Sequence, residues 1–179
     1  MKLFVASDLH GSLEHARQTV RRFEAEGADR LILLGDLYYQ GIRNMTPAAY
    51  EPMEVARILN GMNDRLLVTR GNCDSDVDRT VSDFAFADYI EYMTPGGKII
   101  GFQHGDRYNI DCPPKGKVDA LLYGHYHTGF LRRKDGVLYV NVGSVAMPKG
   151  GTPRSYVLIE NETVILKTLE GEEIGREEI

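Results

Sequence analysis

The chain opens Met1-Lys2-Leu3-Phe4-Val5-Ala6-Ser7-Asp8-Leu9-His10-Gly11, and this stretch decides the fold. Lys2 to Ala6 is a short apolar run cut off by a polar turn, the pattern of a buried strand. Ser12 follows as a candidate helix N-cap. Leu13, Ala16, Val20 and Phe23 then recur at helical spacing until Gly27, a stop signal. Arg30 to Leu34 repeats the apolar run and ends at Gly35-Asp36. Strand, helix and strand in this order predict a βαβ unit and a parallel sheet.

Reading outward, Tyr38 to Pro52 is a long connection that carries a short helix or covers a site. A helix is expected from Met53 to Met62, with Val55, Ile58, Leu59 and Met62 inward. Arg65 to Thr69 reads as a third strand, ending at Gly71-Asn72, and Asp74 to Asp83 as an acidic loop. Ala87 to Met93 and Lys98 to Gln103 flank Thr94-Pro95-Gly96-Gly97, a hairpin turn. Val118 to Tyr123, Val137 to Val142, Tyr156 to Ile159 and Thr163 to Leu169 complete the strands, the last two joined at Glu160-Asn161-Glu162. The acidic tail from Glu170 to Ile179 reads as solvated. No repeat, linker or low-complexity segment interrupts the chain, so one domain over 1–179 is expected.

With 179 residues, 42% hydrophobic and 26% charged, the chain can bury a real core. A formal charge of −5 argues against broad binding to nucleic acid or anionic membrane. Its two cysteines, Cys73 and Cys112, form no CxxC pair, which disfavours a disulfide scaffold and fits a reducing cytoplasm. The apolar N-terminal run is too short for a signal-peptide core, and no stretch approaches a membrane span.

Four of the five histidines fall in three clusters, Asp8-Leu9-His10, His104-Gly105 and His125-Tyr126-His127. Gly35-Asp36 and Gly71-Asn72-Cys73-Asp74 lie between the first and second. Asp8, Asp36, Asn72, His104 and His125 each stand just past a predicted strand, where α/β sheets bind ligands. Taken singly, each motif has a plain reading as a turn or a structural histidine. Together they supply aspartate, asparagine and histidine side chains suited to two first-row divalent metals. Asp36 is the natural bridge, because no other motif offers a carboxylate between the two ligand groups. A metal pair suits in-line displacement at phosphorus. His15 lies outside the motifs and is expected on the surface.

The order Asp-x-His, Gly-Asp, Gly-Asn-x-Asp, His-Gly, Gly-His-x-His resembles the calcineurin-like metallophosphoesterase family. Gly71-Asn72-Cys73-Asp74 and the later Asn141-Val142-Gly143-Ser144-Val145 are most similar to its small YfcE-type phosphodiesterase branch, with Val142 where proline is usual. The resemblance implies a four-layer α/β/β/α sandwich of two mixed sheets flanked by helices. It implies that Asp8, His10, Asp36 and His127 hold one metal, and that Asp36, Asn72, His104 and His125 hold the other. Manganese is the expected ion, with iron, nickel, cobalt or zinc able to take the same ligands.

Many members of the family carry histidine where this chain has Cys73. A thiol with an ordinary pKa of about 8.5 is uncharged at neutral pH. It could act as an alternative acid, a redox-sensitive point or a packed side chain. Packing or a weak contact is favoured, because no motif spares a base to activate it. Asn72, His104 and Cys73 are the catalytic candidates, and Asp74 is expected to orient His10 or a neighbour. Arg43, Arg107 and Lys149 are candidate substrate contacts.

The expected reaction is phosphodiester hydrolysis by a hydroxide bridging two metals, on a small diester substrate, with a homodimer permitted by the apolar late strands. Its rivals are a phosphomonoesterase on a nucleotide or phosphometabolite, a metal-stabilised structural domain, and a non-catalytic scaffold like the retromer subunit that shares the fold.

Overall fold

The structure, a computed structural model, describes residues 1–179. In chain order its elements are β1 (Lys2–Ala6), α1 (Leu13–Ala25), β2 (Arg30–Leu33), α2 (Pro52–Asn60), β3 (Leu66–Thr69), β4 (Phe86–Ala87), β5 (Ile90–Met93), β6 (Ile99–Phe102), β7 (Ala120–Tyr123), β8 (Phe130–Lys134), β9 (Val137–Asn141), β10 (Ser155–Glu160), β11 (Thr163–Thr168) and β12 (Glu173–Glu178). One sheet runs β12-β11-β10-β1-β2-β3-β4, the other β5-β6-β7-β9-β8. Both are mixed. The first is parallel from β1 through β4 and antiparallel on the other side of β1, through β10, β11 and β12. The second is parallel through β6, β7 and β9, with antiparallel edges.

The alternation along β1 builds two cores, because successive strand side chains point to opposite faces. Leu3 and Val5 face the second sheet, with Ile32, Phe102, Leu122 and Val140. Phe4 and Ala6 face the helices, where Phe4 stacks on Tyr156 at 4.3 Å between ring centroids and meets the edge of Phe23. Helix α1 buries Leu13, Ala16 and Phe23, while Val20 is half-buried and Thr19 takes the inner position. The Thr19 hydroxyl is satisfied by donating to the His15 carbonyl at 2.7 Å. Helix α2 opens with Pro52, whose missing N–H costs nothing at a helix start. The helices share one face of the first sheet. On the second sheet's outer face, Tyr108 and Ile110 of a long loop cover Leu121, Tyr123 and Tyr139 in place of a helix.

Three local expectations are corrected, and one further strand is added. The single strand expected from Ala87 to Met93 is two: β4 ends the first sheet, the chain steps across at Asp88-Tyr89, and β5 starts the second. The tail is not free, because Glu173–Glu178 pairs along β11 as a charged edge strand. Its Glu177 meets Arg133 at 3.5 Å, which ties the edges of the two sheets together. Strand β8 went unread, although Asp135-Gly136 marks a type I′ hairpin and both residues have positive φ. His15 is buried, its ring paired with the Ser12 hydroxyl at 2.7 Å. That contact uses the side chain expected to cap α1, and Ser12 makes no cap hydrogen bond.

No helix is long and apolar enough to cross a membrane.

Candidate metal centre

Five strands deliver the site. Asp8 and His10 follow β1, Asp36 follows β2, Asn72 follows β3, His104 follows β6, and His125 and His127 follow β7. The loops after β1 and β2 are joined by His10 N–H to the Asp36 carbonyl at 2.9 Å and Gly11 N–H to the Leu37 carbonyl at 2.8 Å. The second sheet repeats this, with Gly124 N–H donating to the His104 carbonyl at 2.7 Å. The two sheets meet where His125 N–H donates to the Asp8 carboxylate at 3.1 Å.

These close approaches need glycine. A Cβ on Gly71 would sit 2.2 Å from Asp36 Oδ1, and one on Gly124 would sit 2.0 Å from Ser7 Oγ. The ligand-type residues carry the opposite burden. Asp8, His10, Asp36, His125 and His127 all have left-handed backbone, with φ from 47° to 66°. Such conformations cost of order 1–3 kcal/mol each for non-glycine residues and persist where the surroundings over-determine them.

Three imidazoles have fixed tautomers. Nδ1 of His10 lies 2.8 Å from the Tyr39 carbonyl, that of His104 2.7 Å from the Leu34 carbonyl, and that of His127 2.7 Å from the Met147 carbonyl. A carbonyl can only accept, so each Nδ1 carries the proton and each Nε2 aims its lone pair into the site. His10 and His127 nevertheless bring their Nε2 atoms to 3.2 Å. Asp8 Oδ1 lies 3.1 Å from His127 Nε2 and 3.4 Å from His10 Nε2, buried and without a hydrogen-bond partner. Beside them, His104 Nε2 faces Asn72 Oδ1 at 3.1 Å and His125 Nδ1 at 3.2 Å. Asp36 spans the two groups, Oδ2 at 3.7 Å from His10 and Oδ1 at 3.5 Å from His104.

Acceptors at these separations repel unless a cation lies among them. Ligand atoms about 2.0–2.2 Å from a divalent ion sit roughly 3 Å from one another, so the donor set fits a metal. Asp8, His10 and His127 form one such cluster, and Asp8, Asp36 and His104 another.

Electrostatics point the same way. Burial pushes Asp8 up, but His10 and His127 hold it well below the ordinary carboxylate range. Burial lowers His10, yet the adjacent Asp8 carboxylate and the charge of Asp36 leave it raised. For His104 too, burial opposes and the charges of Asp36 and Asp8 prevail. His125 is lowered by burial and by His104. The carboxylates thus make a cation trap.

Asp74 does not touch His10. Its carboxylate accepts the N–H groups of Asp36, Leu37 and Gly71, each at 2.8 Å, and so ties the Asp36 turn to the Asn72 turn. Burial pushes its pKa up to about 6 against the pull of those amides. Cys73 donates its N–H to Asp36 Oδ1 at 2.8 Å. Its Sγ lies near His10 and Asp36, and burial followed by the Asp36 charge holds the thiol far above its usual pKa. That favours a neutral, packed thiol over a nucleophile.

Arg43 and Lys149 line a cleft of about 660 Å3 with Asp36, Asn72, His125 and His127. Arg107 lies in a separate polar hollow beside Asn72, near Asp88 at 3.7 Å. The supports behind the ligands escaped sequence reading. Asn141 donates to the Gly124 carbonyl at 2.6 Å, and Ser144 donates to the Asp8 carbonyl at 3.0 Å. The Asn-Val-Gly-Ser string was the available signal.

Residues 1–164 match the calcineurin-like phosphoesterase superfamily domain. Phosphodiesterase YfcE of Escherichia coli K12 is 34% identical over 175 residues, 97% of this chain and 95% of that protein. The structure of E. coli YfcE, a phosphoesterase, superposes with a TM-score of 0.95 at 32% identity over the whole of both chains. Vps29 of Entamoeba histolytica, solved in complex with zinc, shares the fold at 20% identity and a TM-score of 0.61, over 100% of this chain and 98% of that one. The family match over residues 1–164 and the 34% identity across nearly the whole chain show that the chain belongs to the calcineurin-like phosphoesterase superfamily.

Proposed function

We propose that residues 1–179 form a single-domain, metal-dependent phosphodiesterase using two divalent ions. The observation that carries this reading is Asp36, one carboxylate reaching towards both donor groups. Asp8, His10, Asp36 and His127 hold one ion, and Asp36, Asn72, His104 and His125 the other. Such a pair supplies a water nucleophile at neutral pH and positive charge against the phosphoryl oxygens. The chain's own residues do the rest. The buried histidines hold fixed tautomers, so no ligand must reorganise as charge develops. Asn72 stands at the cleft wall, where its amide can steady an equatorial oxygen. Arg43 and Lys149, on the same wall, draw a diester anion inward. Cys73, Asn72 and His104 lie next to the reacting phosphate, with Cys73 as a neutral contact.

Manganese is the proposed ion, the cytoplasm the proposed compartment, and a homodimer the proposed assembly. The deciding assay is hydrolysis of bis-p-nitrophenyl phosphate and p-nitrophenyl phosphate by chelator-stripped protein, with and without manganese, beside Asp36→Asn. Diester cleavage requiring both metal and Asp36 is expected. A preference for the monoester makes the chain a phosphatase instead. Folded protein without turnover on any divalent ion makes it a scaffold.

A further inference from the structure

Beside the metal cleft lies a second cavity of about 330 Å3 with a different character. Tyr39, Cys73 and Ser75 line both, so the two are contiguous across a thin partition. Beyond it the walls are Tyr38, Tyr50, Met53, Val77 and Val81, with Asp78 at the edge.

Two of its tyrosines are fixed to the metal loop. The Tyr39 carbonyl accepts from His10 Nδ1. The Tyr50 ring lies over Gly11, so close that a Cβ there would be 2.5 Å from its Cε2. The Tyr38 hydroxyl is occupied by Ser82 at 2.7 Å, which leaves the ring as an apolar wall. Met53 and Val77 stay 61% and 69% exposed at the mouth, a patch with no partner in the fold. Cys73 stands on the shared wall, so its side chain faces the boundary between the two cavities.

Aromatic walls with a methionine favour a planar ring by stacking and sulfur contact. The volume is at the low end of the roughly 300–1,000 Å3 typical of small-molecule sites, enough for one substituent and not for a folded partner. The neighbouring cleft attracts a phosphate, so the joint site fits a molecule with an anionic centre and one flat apolar arm. Resting on the phosphodiesterase reading above, we propose that the tyrosine cavity is the subsite for a planar aromatic substituent of the diester. Asp78 receives the Ser75 N–H on Oδ2 and lines the cavity, so it is the one carboxylate acceptor on the cavity wall for an amino group on that ring.

The test compares competitive inhibition by diphenyl phosphate and dimethyl phosphate, which share the diester anion and differ only in their arms. Diphenyl phosphate is expected to bind more tightly by about tenfold. That ratio should collapse towards one in Tyr50→Ala and in Met53→Ser, the latter at an exposed position where substitutions usually shift stability only slightly. The methyl ester of adenosine 5′-monophosphate separates the sources. If it outdoes diphenyl phosphate and loses that gain in Asp78→Asn, the ring is a nucleobase; if not, a simple aryl group. Saturation-transfer NMR on zinc-loaded protein needs no turnover and keeps this idea apart from the catalytic one. Transfer to the phenyl protons that is lost in both variants upholds the subsite even if no diester is cleaved. Equal inhibition by the two diesters, or a ratio unchanged in both variants, overturns it and leaves diester hydrolysis standing.

Discussion

His10 and His127 bring their Nε2 atoms to 3.2 Å, although the opposite nitrogen of each ring already gives its proton to a backbone carbonyl. With Nδ1 the donor on each ring, the two Nε2 lone pairs are aimed at one another. Their approach is stable only with positive charge between them, and the unpartnered Asp8 Oδ1 faces the same point.

Metal should therefore stabilise the fold. A ligand at a hundred times its Kd adds about 2.7 kcal/mol, and a protein of this size gains roughly 2–4 °C per kcal/mol. Differential scanning fluorimetry of chelator-stripped protein should show a rise of several degrees on adding manganese. His127→Ala and Asp36→Asn should shrink it. A melting temperature indifferent to every divalent ion would refute the metal centre.

Asp74→Asn tests the tie between the Asp36 and Asn72 turns. The variant turns one acceptor oxygen into a donor facing backbone N–H groups, leaving at least one of them unpaired. Loss of a buried, charge-assisted hydrogen bond costs about 2–3 kcal/mol. Loosened ligands should weaken metal binding about 10–100-fold. Urea unfolding and a metal titration read these separately, and an unchanged midpoint with unchanged affinity would contradict the assigned role.

Ser144 supports the site through its hydroxyl, and its partners there are all backbone groups. It donates to the Asp8 carbonyl and accepts the Met147 N–H at 2.9 Å, while the Met147 carbonyl orients His127. Ser144→Ala should cost about 1–2 kcal/mol and lower metal affinity, whereas Ser144→Thr, which keeps the hydroxyl, should recover part of the affinity. Equal affinities for the alanine and threonine variants would show that the hydroxyl does not position the ligands.

Far from the site, half-buried Glu26 accepts from Lys167 at 2.5 Å and from the Tyr156 hydroxyl. Burial opposes its ionisation, but these partners leave its pKa lowered. A carboxylate depressed in the folded state stabilises above its unfolded pKa, about 4.3, and loses that contribution as pH falls through the folded value. Glu26→Gln should cost about 1–2 kcal/mol at pH 7, and the gap should narrow at an acid pH below the unfolded carboxylate value of about 4.3. A gap of equal size at both pH values would mean that the charge is not what matters.

The βαβ opening, the two helices and the strand ends that carry Asp8, Asp36, Asn72, His104 and His125 were legible in the chain because they depend on local periodicity and on side-chain chemistry. The type I′ turn at Asn161-Glu162 was legible as a hairpin for the same reason. Only the tertiary structure decided what distant segments do to one another. It split the run before Met93 between two sheets, because β4 and β5 find different neighbours. It drew an acidic tail into an edge strand, since β11 offered unpaired backbone. It buried His15 against Ser12, turned Asp74 from a ligand's partner into a clamp on three backbone amides, and set Tyr50 against Gly11 to wall a cavity. It also holds five ligand-type residues in left-handed backbone, which the residue types themselves disfavour. A sequence states which groups are available. Their meeting at 3 to 4 Å, across more than a hundred residues of chain in the case of His10 and His127, is a property of the packed sheets.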